Sequence, residues 1–343
     1  MSSIWFFSDP HIGTMRTSHT TQASRLRLRD ALYEQAMDIM WPSEPVYCLG
    51  DLFDTESNDE RVIQHGYRVA QQCEKVLAGN HDLPNREGKL SSLQLIAGML
   101  EEDQVVLGSV DEPGFQVDAH DLAHVYLVPH MATQALFDQS LQEVHDFAGR
   151  EVKDRPKILC LHCNYNSGFI QNDASLNLTT AQADWLLERF DYVLLGHEHV
   201  PRKLHGGQLI ILGNTHPTSF SDISRKVIWE FNDTGFREHE IWSTDGFMSL
   251  NWEDASTEIE GVQFLDIVGS APSDQLPKIA ASIAKLWRDN PNLLMVRNSV
   301  ESEFVAPEVH QATRSLDLPA RISTALADTD LLPVWQSYLE QAQ

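Results

Sequence analysis

Long hydrophobic runs, a basic or apolar leader, a second cysteine pair and internal repeats are all missing from this 343-residue sequence. Without an apolar stretch of about 20 residues there is no candidate membrane span. The opening MSSIWFFSD has no basic start and meets Asp9 almost at once, which argues against a signal peptide and reads as the first strand of a cytoplasmic protein. The four cysteines include a CLHC stretch, Cys160 to Cys163. A structural zinc site wants four ligands, usually from two such pairs, and no second pair exists. Cys48 and Cys160, inside apolar runs, are expected to be small buried hydrophobes. Positive charge is scarce too: 25 Lys and Arg stand against 50 Asp and Glu, a net charge of −25. A uniformly acidic surface repels phosphate polymers, so a nucleic-acid role needs local basic surface or a partner that supplies it. The one basic stretch, free of acidic residues from Ile12 to Arg29, carries Arg16, Arg25, Arg27 and Arg29. Arg16 and Arg25 are the candidate DNA contacts; a solvated helix face explains the stretch equally well.

Hydrophobic content of 42% and charged content of 22% suit a globular protein, and the length suits one large domain with a smaller one. Apolar strand candidates at 4–7, 46–49, 75–78, 125–128, 157–161, 192–195, 209–212 and 227–231 alternate with helical patterns at 24–40, 59–73, 91–101, 133–147 and 179–189. That alternation predicts an α/β fold. The last helix opens on threonines suited to N-capping. After Trp242 the period is lost and residues 243–261 read as a connector. VQFLDIV, QLPKIAASIAKLWRD and NLLMVRN then give strand, helix, strand. Beyond Asn298 a polar stretch reads as linker, and a final helix places Leu331, Val334, Trp335 and Tyr338 on one face, suited to docking on its own domain or a partner. The expected division is 1–255, 256–300 and 301–343.

Five of these strands end on potential metal ligands. IWFFS is followed by Asp9 and His11, VYCLG by Asp51, KVLAG by Asn80 and His81, KILCL by His162, and YVLLG by His197 and His199. Loops past the strand ends of an open α/β sheet converge on one edge. Each pattern alone is as well explained by a turn; five in order are not. Carboxylates, imidazoles and one amide oxygen suit a pair of divalent cations, with a carboxylate able to bridge them. In extended backbone, residues two apart share a side, so both ligands of DPH, and both of HEH, are expected to face one ion. Gly50, Gly79 and Gly196 precede ligands and are expected to let the backbone turn sharply, and Pro10 to stiffen the exit from the first strand.

DPH, GDLFD, GNHD, the strand-end His162 and GHEH, in that order, resemble the signature of the calcineurin-like metallophosphoesterases. The resemblance implies a four-layer αββα sandwich, here with a small α/β cap and a C-terminal helical tail. It implies one ion held by Asp9, His11 and His199, a second by Asn80, His162 and His197, and Asp51 bridging them. It also implies that His81 stays off the metals and faces the scissile phosphate, with Asp54 orienting it. More narrowly, GNHDLPNREG, VPHM, GHEHVPRKL, LGNTHPTSFSD and LMVRNSVES resemble the SbcD-type nuclease subunits of DNA recombination and repair, above all their phage counterparts. That likeness implies DNA exonuclease or endonuclease activity, with two divalent cations, manganese foremost and iron or zinc as alternatives, activating a hydroxide. It further implies an SbcC-like ATPase partner and pairing into a homodimer through helices.

Two other classes use the same residues. A phosphatase or phosphodiesterase for small molecules or phosphoproteins would keep the metal cluster and fit the net charge without help. A binding scaffold that has lost the chemistry fits poorly with an intact ligand set.

Overall fold

Strands such as IWFF and VYCL are apolar at every position, and a strand apolar on both faces needs cover on both. The computed structural model, which describes residues 2–14, 22–38, 44–84, 89–109, 111–151, 154–167, 176–254 and 259–303 with the side chains of 22–25 excepted, supplies that cover with two stacked sheets between helical layers. Strands β1 (Ile4–Phe7), β2 (Val46–Leu49), β3 (Lys75–Leu77) and β4 (Val105–Val106) run parallel in the first sheet. Next come β5 (Gln116–Ala119), β6 (His124–Val128) and β7 (Lys157–His162), the short pair β8 (Asn164–Tyr165) and β9 (Asn177–Leu178), then β10 (Tyr192–Gly196), β11 (Arg202–Leu204) and β12 (Leu209–Ile211). The chain returns to the first sheet as β13 (Lys226–Asn232) and β14 (Gly235–Trp242). The sheet orders are β14-β13-β1-β2-β3-β4 and β11-β12-β10-β7-β6-β5.

Alternation along each strand divides the core. Ile4, Phe6, Tyr47, Leu49 and Trp229 of the first sheet point between the sheets, against Val125, Leu127, Ile158, Cys160 and Leu194 of the second. Trp5, Phe7, Val46 and Cys48 point outward, under α1 (Gln22–Asp38), α2 (Glu60–Ala70) and α3 (Ser92–Ala97). The outer face of the second sheet is covered by α4 (Gln134–Arg150) and α5 (Thr180–Leu186). The result is the αββα sandwich. Burial on this scale stabilises by about 1.5–3 kcal/mol per large side chain, enough to carry strained strand ends. Thr179 caps α5 as expected, accepting from Gln182 N while the Gln182 side chain returns to the cap. All four cysteines are free and buried, and among the described residues no helix is long and apolar enough to cross a membrane.

A third sheet follows. Its strands β15 (Phe247–Asn251), β16 (Phe264–Ala271) and β17 (Met295–Ser302) are all parallel, with α6 (Leu276–Asp289) between the last two. Leu265, Ile267, Leu293 and Val296 form its own core, closed by Ile283 and Trp287 of α6. Two readings of the sequence change here. The stretch that reads as a connector contains β15, whose five residues are too few to display a period, and residues 299–302, which read as linker, extend β17 along Val268–Ala271. The C-terminal helix lies outside the described residues.

Helix α1 joins the third sheet to the sandwich. Leu28 and Leu32 pack on Phe264 and Met295, and Arg27 Nη1 donates to the carbonyls of Trp287, Asn290 and Leu293 at 3.2, 3.0 and 2.8 Å. Its guanidinium lies 3.7 Å above the Trp287 ring. Arg29 is buried beside Asp30 and Asp59. These two arginines are therefore structural; Arg16 and the side chain of Arg25 lie outside the described residues.

Candidate metal centre

The C-terminal ends of β1, β2 and β3 face those of β7 and β10 across the sandwich. Beyond the strands proper the backbone stays zipped: Asp9 N donates to Gly50 O, His11 N to Asp51 O, Ile12 N to Leu52 O, and Asp54 N to Ile12 O, at 2.9–3.2 Å. Pro10, lacking an N–H, falls between two of these bonds and leaves none unmade. The Asp82 carboxylate ties the next loop in, accepting from Gly79 N at 2.9 Å, Phe53 N at 3.2 Å and Leu52 N at 3.3 Å. Burial, reinforced by Asp51, pushes Asp82 up to about 7.

All seven proposed ligands converge. His11 Nε2 lies 3.3 Å from His199 Nε2, 3.8 Å from Asp9 Oδ1 and 3.9 Å from Asp51 Oδ2. Asn80 Oδ1 lies 3.1 Å from His162 Nε2 and 2.9 Å from His197 Nδ1, and Asp51 Oδ1 is 3.4 Å from His162 Nε2. Asp9, His11 and His199 form one group and Asp51, His162 and His197 another, the ligand atoms of each within 4.8 Å of one another. The two oxygens of Asp51 face different groups.

The chemistry of the donor set fits cations. His162 Nδ1 sits 2.8 Å from Leu49 O, a pure acceptor, so that nitrogen carries the proton and Nε2 is a lone pair when the ring is neutral. Nε2 then faces two other acceptors, Asn80 Oδ1 and Asp51 Oδ1, an arrangement that calls for positive charge. Without metal a proton can serve: burial opposes charging His162, but Asp51 outweighs it and the ring is pushed up to about 9. Asp51 is held well below the usual carboxylate range, burial being overcome by His162, His11 and His81. Burial, then His162, drives His197 down to about 3, leaving it neutral. Asp9, whose pKa is raised chiefly by burial, keeps Oδ1 buried without a hydrogen-bond partner, while Oδ2 accepts from His197 N at 2.9 Å.

Several ligands sit on strained backbone. Asp9, His11, Asp51 and His197 have φ of 54°, 40°, 50° and 88°, in the left-handed region that costs non-glycine residues about 1–3 kcal/mol each. The backbone is thus not extended at these ligands, and HEH does not act as a same-side pair: His197 joins His162, whereas His199 joins His11. The glycines also differ from expectation. Gly50 turns with φ 101°, but Gly79 has an ordinary φ of −99°; it is needed because a Cβ there would lie 2.2 Å from Asp51 Oδ1. Gly196 likewise has no positive φ and is crowded by Leu49 O at 2.2 Å.

His81 and Asp54 flank the ligands, and His81 also groups with His11 and Asp51, their ligand atoms within 4.8 Å of one another. His81 N donates to Asp51 Oδ1 at 2.9 Å, and its Nδ1–H donates to the Asp54 carbonyl at 2.6 Å. Asp54 thus meets the His81 ring through its main chain, while its carboxylate lies 3.5 Å from His11 Nδ1. His81 and His199 are each 27% exposed, whereas Asp9, His11, Asp51 and His162 are buried, so His81 and His199 line the solvent side. Sequence reasoning assigned no role to His130, whose Nδ1–H donates to His162 O at 3.3 Å, or to His216, buried to 2% and driven down to about 3 by burial, then Lys226 and His199. Both lie in quoted motifs, VPHM and LGNTHPTSFSD, which were the available signal. Elsewhere Glu74, Asp118 and His120 also group, on a more exposed surface.

The calcineurin-like phosphoesterase family profile matches residues 2–201. No curated protein matches the sequence. Among solved structures, a phosphopantetheinyl hydrolase from Mycobacterium tuberculosis is 16% identical over 69% of this chain and 95% of its own, with a TM-score of 0.44. A predicted phosphoesterase from Streptococcus pneumoniae is 14% identical over 71% of this chain and 90% of its own, with a TM-score of 0.31.

Proposed function

Since the chain belongs to the calcineurin-like phosphoesterase family, whose members normally use two divalent metal ions, we propose that it is a metal-dependent DNA nuclease subunit, hydrolysing phosphodiester bonds in recombination or repair together with an SbcC-like ATPase. The observation that carries the hydrolytic part is the meeting of buried acceptors at the strand ends, with Asp51 turned toward both groups. Asp9, His11 and His199 would hold one ion, Asn80, His162 and His197 the other, and Asp51 both. Manganese is the proposed metal. Bound there, such a pair neutralises phosphate charge and makes water acidic enough to attack near neutral pH.

His81 is the proposed general acid. With Nδ1–H committed to the Asp54 carbonyl, Nε2 is the atom that takes up and gives away a proton, and it lies on the solvent side, 3.9 Å from Asp51 Oδ2. A departing alkoxide oxygen on that side would receive its proton from Nε2. Asp54 keeps the ring from turning.

The DNA part rests on the SbcD-type motifs and on the strand-helix-strand unit that follows the sandwich. The division into a catalytic unit (1–255), a cap (256–300) and a partner-docking tail (301–343), and the homodimer, belong to the same proposal. A second reading, a phosphodiesterase for small molecules, is favoured by the net charge of −25 and by the engagement of Arg27 and Arg29 within the protein. Incubation with Mn²⁺, linear duplex DNA and bis(p-nitrophenyl) phosphate, with and without chelator, separates them. Chelator-sensitive shortening of DNA is expected; ester hydrolysis with DNA left intact, even when the ATPase is added, would favour the second reading.

A further inference from the structure

A fully buried ammonium spends its donors on one loop beside the centre. Lys226 Nζ, on β13, donates to Asn214 Oδ1 at 2.6 Å, Asp222 Oδ1 at 2.7 Å and Ser224 Oγ at 3.0 Å, and its side chain is 0% exposed. The other carboxylate oxygen, Asp222 Oδ2, accepts from Asn214 Nδ2 at 2.9 Å, Thr218 N at 3.1 Å and Thr218 Oγ1 at 3.2 Å. With its proton directed to Asp222, the Thr218 hydroxyl offers only lone pairs to His199 Nδ1, 3.3 Å away. The donors of Lys226 and Thr218 thus converge on Asp222, one on each carboxylate oxygen. His199 therefore carries its proton on Nδ1 and presents Nε2 as a lone pair toward His11.

We propose that Lys226 is a positioning residue for the group formed by Asp9, His11 and His199, fixing the tautomer and orientation of His199 through Asp222 and Thr218. The proposal rests on the reading of this cluster as a metal centre. A buried ion pair is a poor device for stability alone, since apolar residues of the same volume usually serve as well. Its value here is direction: an ionised carboxylate can only accept, and that property is handed through the hydroxyl to the imidazole. Outer partners of this kind typically alter metal affinity about 10- to 100-fold. The effect should be one-sided, because in the other group His162 is oriented by the Leu49 carbonyl.

The test is Mn²⁺ titration calorimetry on the full chain, alongside ¹⁵N spectra of histidine-labelled protein without metal. Wild type should bind two ions and show His199 protonated at Nδ1. Thr218→Val and Lys226→Met should each weaken one ion about 10- to 100-fold, leave the other within about twofold, and mix the His199 tautomers. Thr218→Val keeps the ammonium and carboxylate together, so it decides the matter if Lys226→Met does not fold. Two unchanged affinities would overturn the proposal, as would a parallel loss of both with the tautomer intact, the mark of a merely structural role. If wild type itself takes up no Mn²⁺, the metal-centre reading fails, and the proposal with it.

Discussion

Replacing Gly79 by alanine probes how closely the β2 and β3 strand ends must approach. The added methyl carbon would lie 2.2 Å from Asp51 Oδ1, 2.4 Å from Asp51 N and 2.9 Å from Asp51 Cγ. Ordinary contact needs about 3.4 Å or more, so Asp51 or the main chain beside it must move by about 1 Å. Part of the crowding is main chain and cannot be relieved by a rotamer. Overpacking of this sort costs about 1–3 kcal/mol, and a displacement of about 1 Å in a catalytic constellation costs about 100-fold in rate. Because Asp51 faces both groups, both ions should weaken together. Gly98→Ala is the control: its added carbon meets nothing closer than Leu95 O at 3.7 Å. Urea unfolding of the metal-free variants, Mn²⁺ calorimetry and phosphodiester hydrolysis would be compared. Two ions bound at wild-type affinity by Gly79→Ala would refute the reasoning.

His81→Ala should retain both ions while losing about 10²- to 10⁴-fold in hydrolysis; full activity in a steady-state assay would remove its assigned role. In the metal-free protein His162 is raised from 6.5 to about 9. The stability it contributes is fully present below pH 6.5 and lost as pH rises through about 9. The urea midpoint of the metal-free protein should therefore fall over that window, and a midpoint that rises there would contradict the pairing with Asp51. Mn²⁺ uptake near neutral pH should also displace this proton, seen as a heat that depends on the buffer's ionisation enthalpy. Arg27→Ala removes three bonds to carbonyls and the stacking on Trp287, and should cost about 1–3 kcal/mol in urea unfolding with faster proteolysis of the third sheet; unchanged proteolysis would show that the apolar contacts of Leu28 and Leu32 suffice.

The sandwich was legible because its strands are apolar on both faces and each of five ends on a polar ligand, a pattern that needs no knowledge of side-chain direction. What could not be read was how the ligands are aimed. Asp9, His11, Asp51 and His197 adopt left-handed backbone that is uncommon for any residue but glycine, and zipped loops and the opposite sheet hold them there. That is why HEH divides between the two groups although alternation predicted a shared side. Close approach explains Gly79, and a glycine that admits a neighbouring carboxylate looks in sequence like one that turns. The part of Asp54 that meets the His81 ring is a carbonyl, which no residue type reveals. Lys226 lies 27 residues beyond His199 and reaches it through Asp222, whose Oδ2 lies 3.8 Å from His199 Nδ1, and through Thr218. Arg27 and Arg29 read as free positive charge until their partners on α6, α1 and the α2 cap are seen.

Anomalous scattering at the manganese edge, from crystals grown with Mn²⁺, tests the binuclear centre directly. Two peaks are predicted, one among Asp9, His11 and His199, the other among Asn80, His162 and His197, with Asp51 in contact with both. No peak at these strand ends, or manganese held instead by Glu74, Asp118 and His120, would contradict the account.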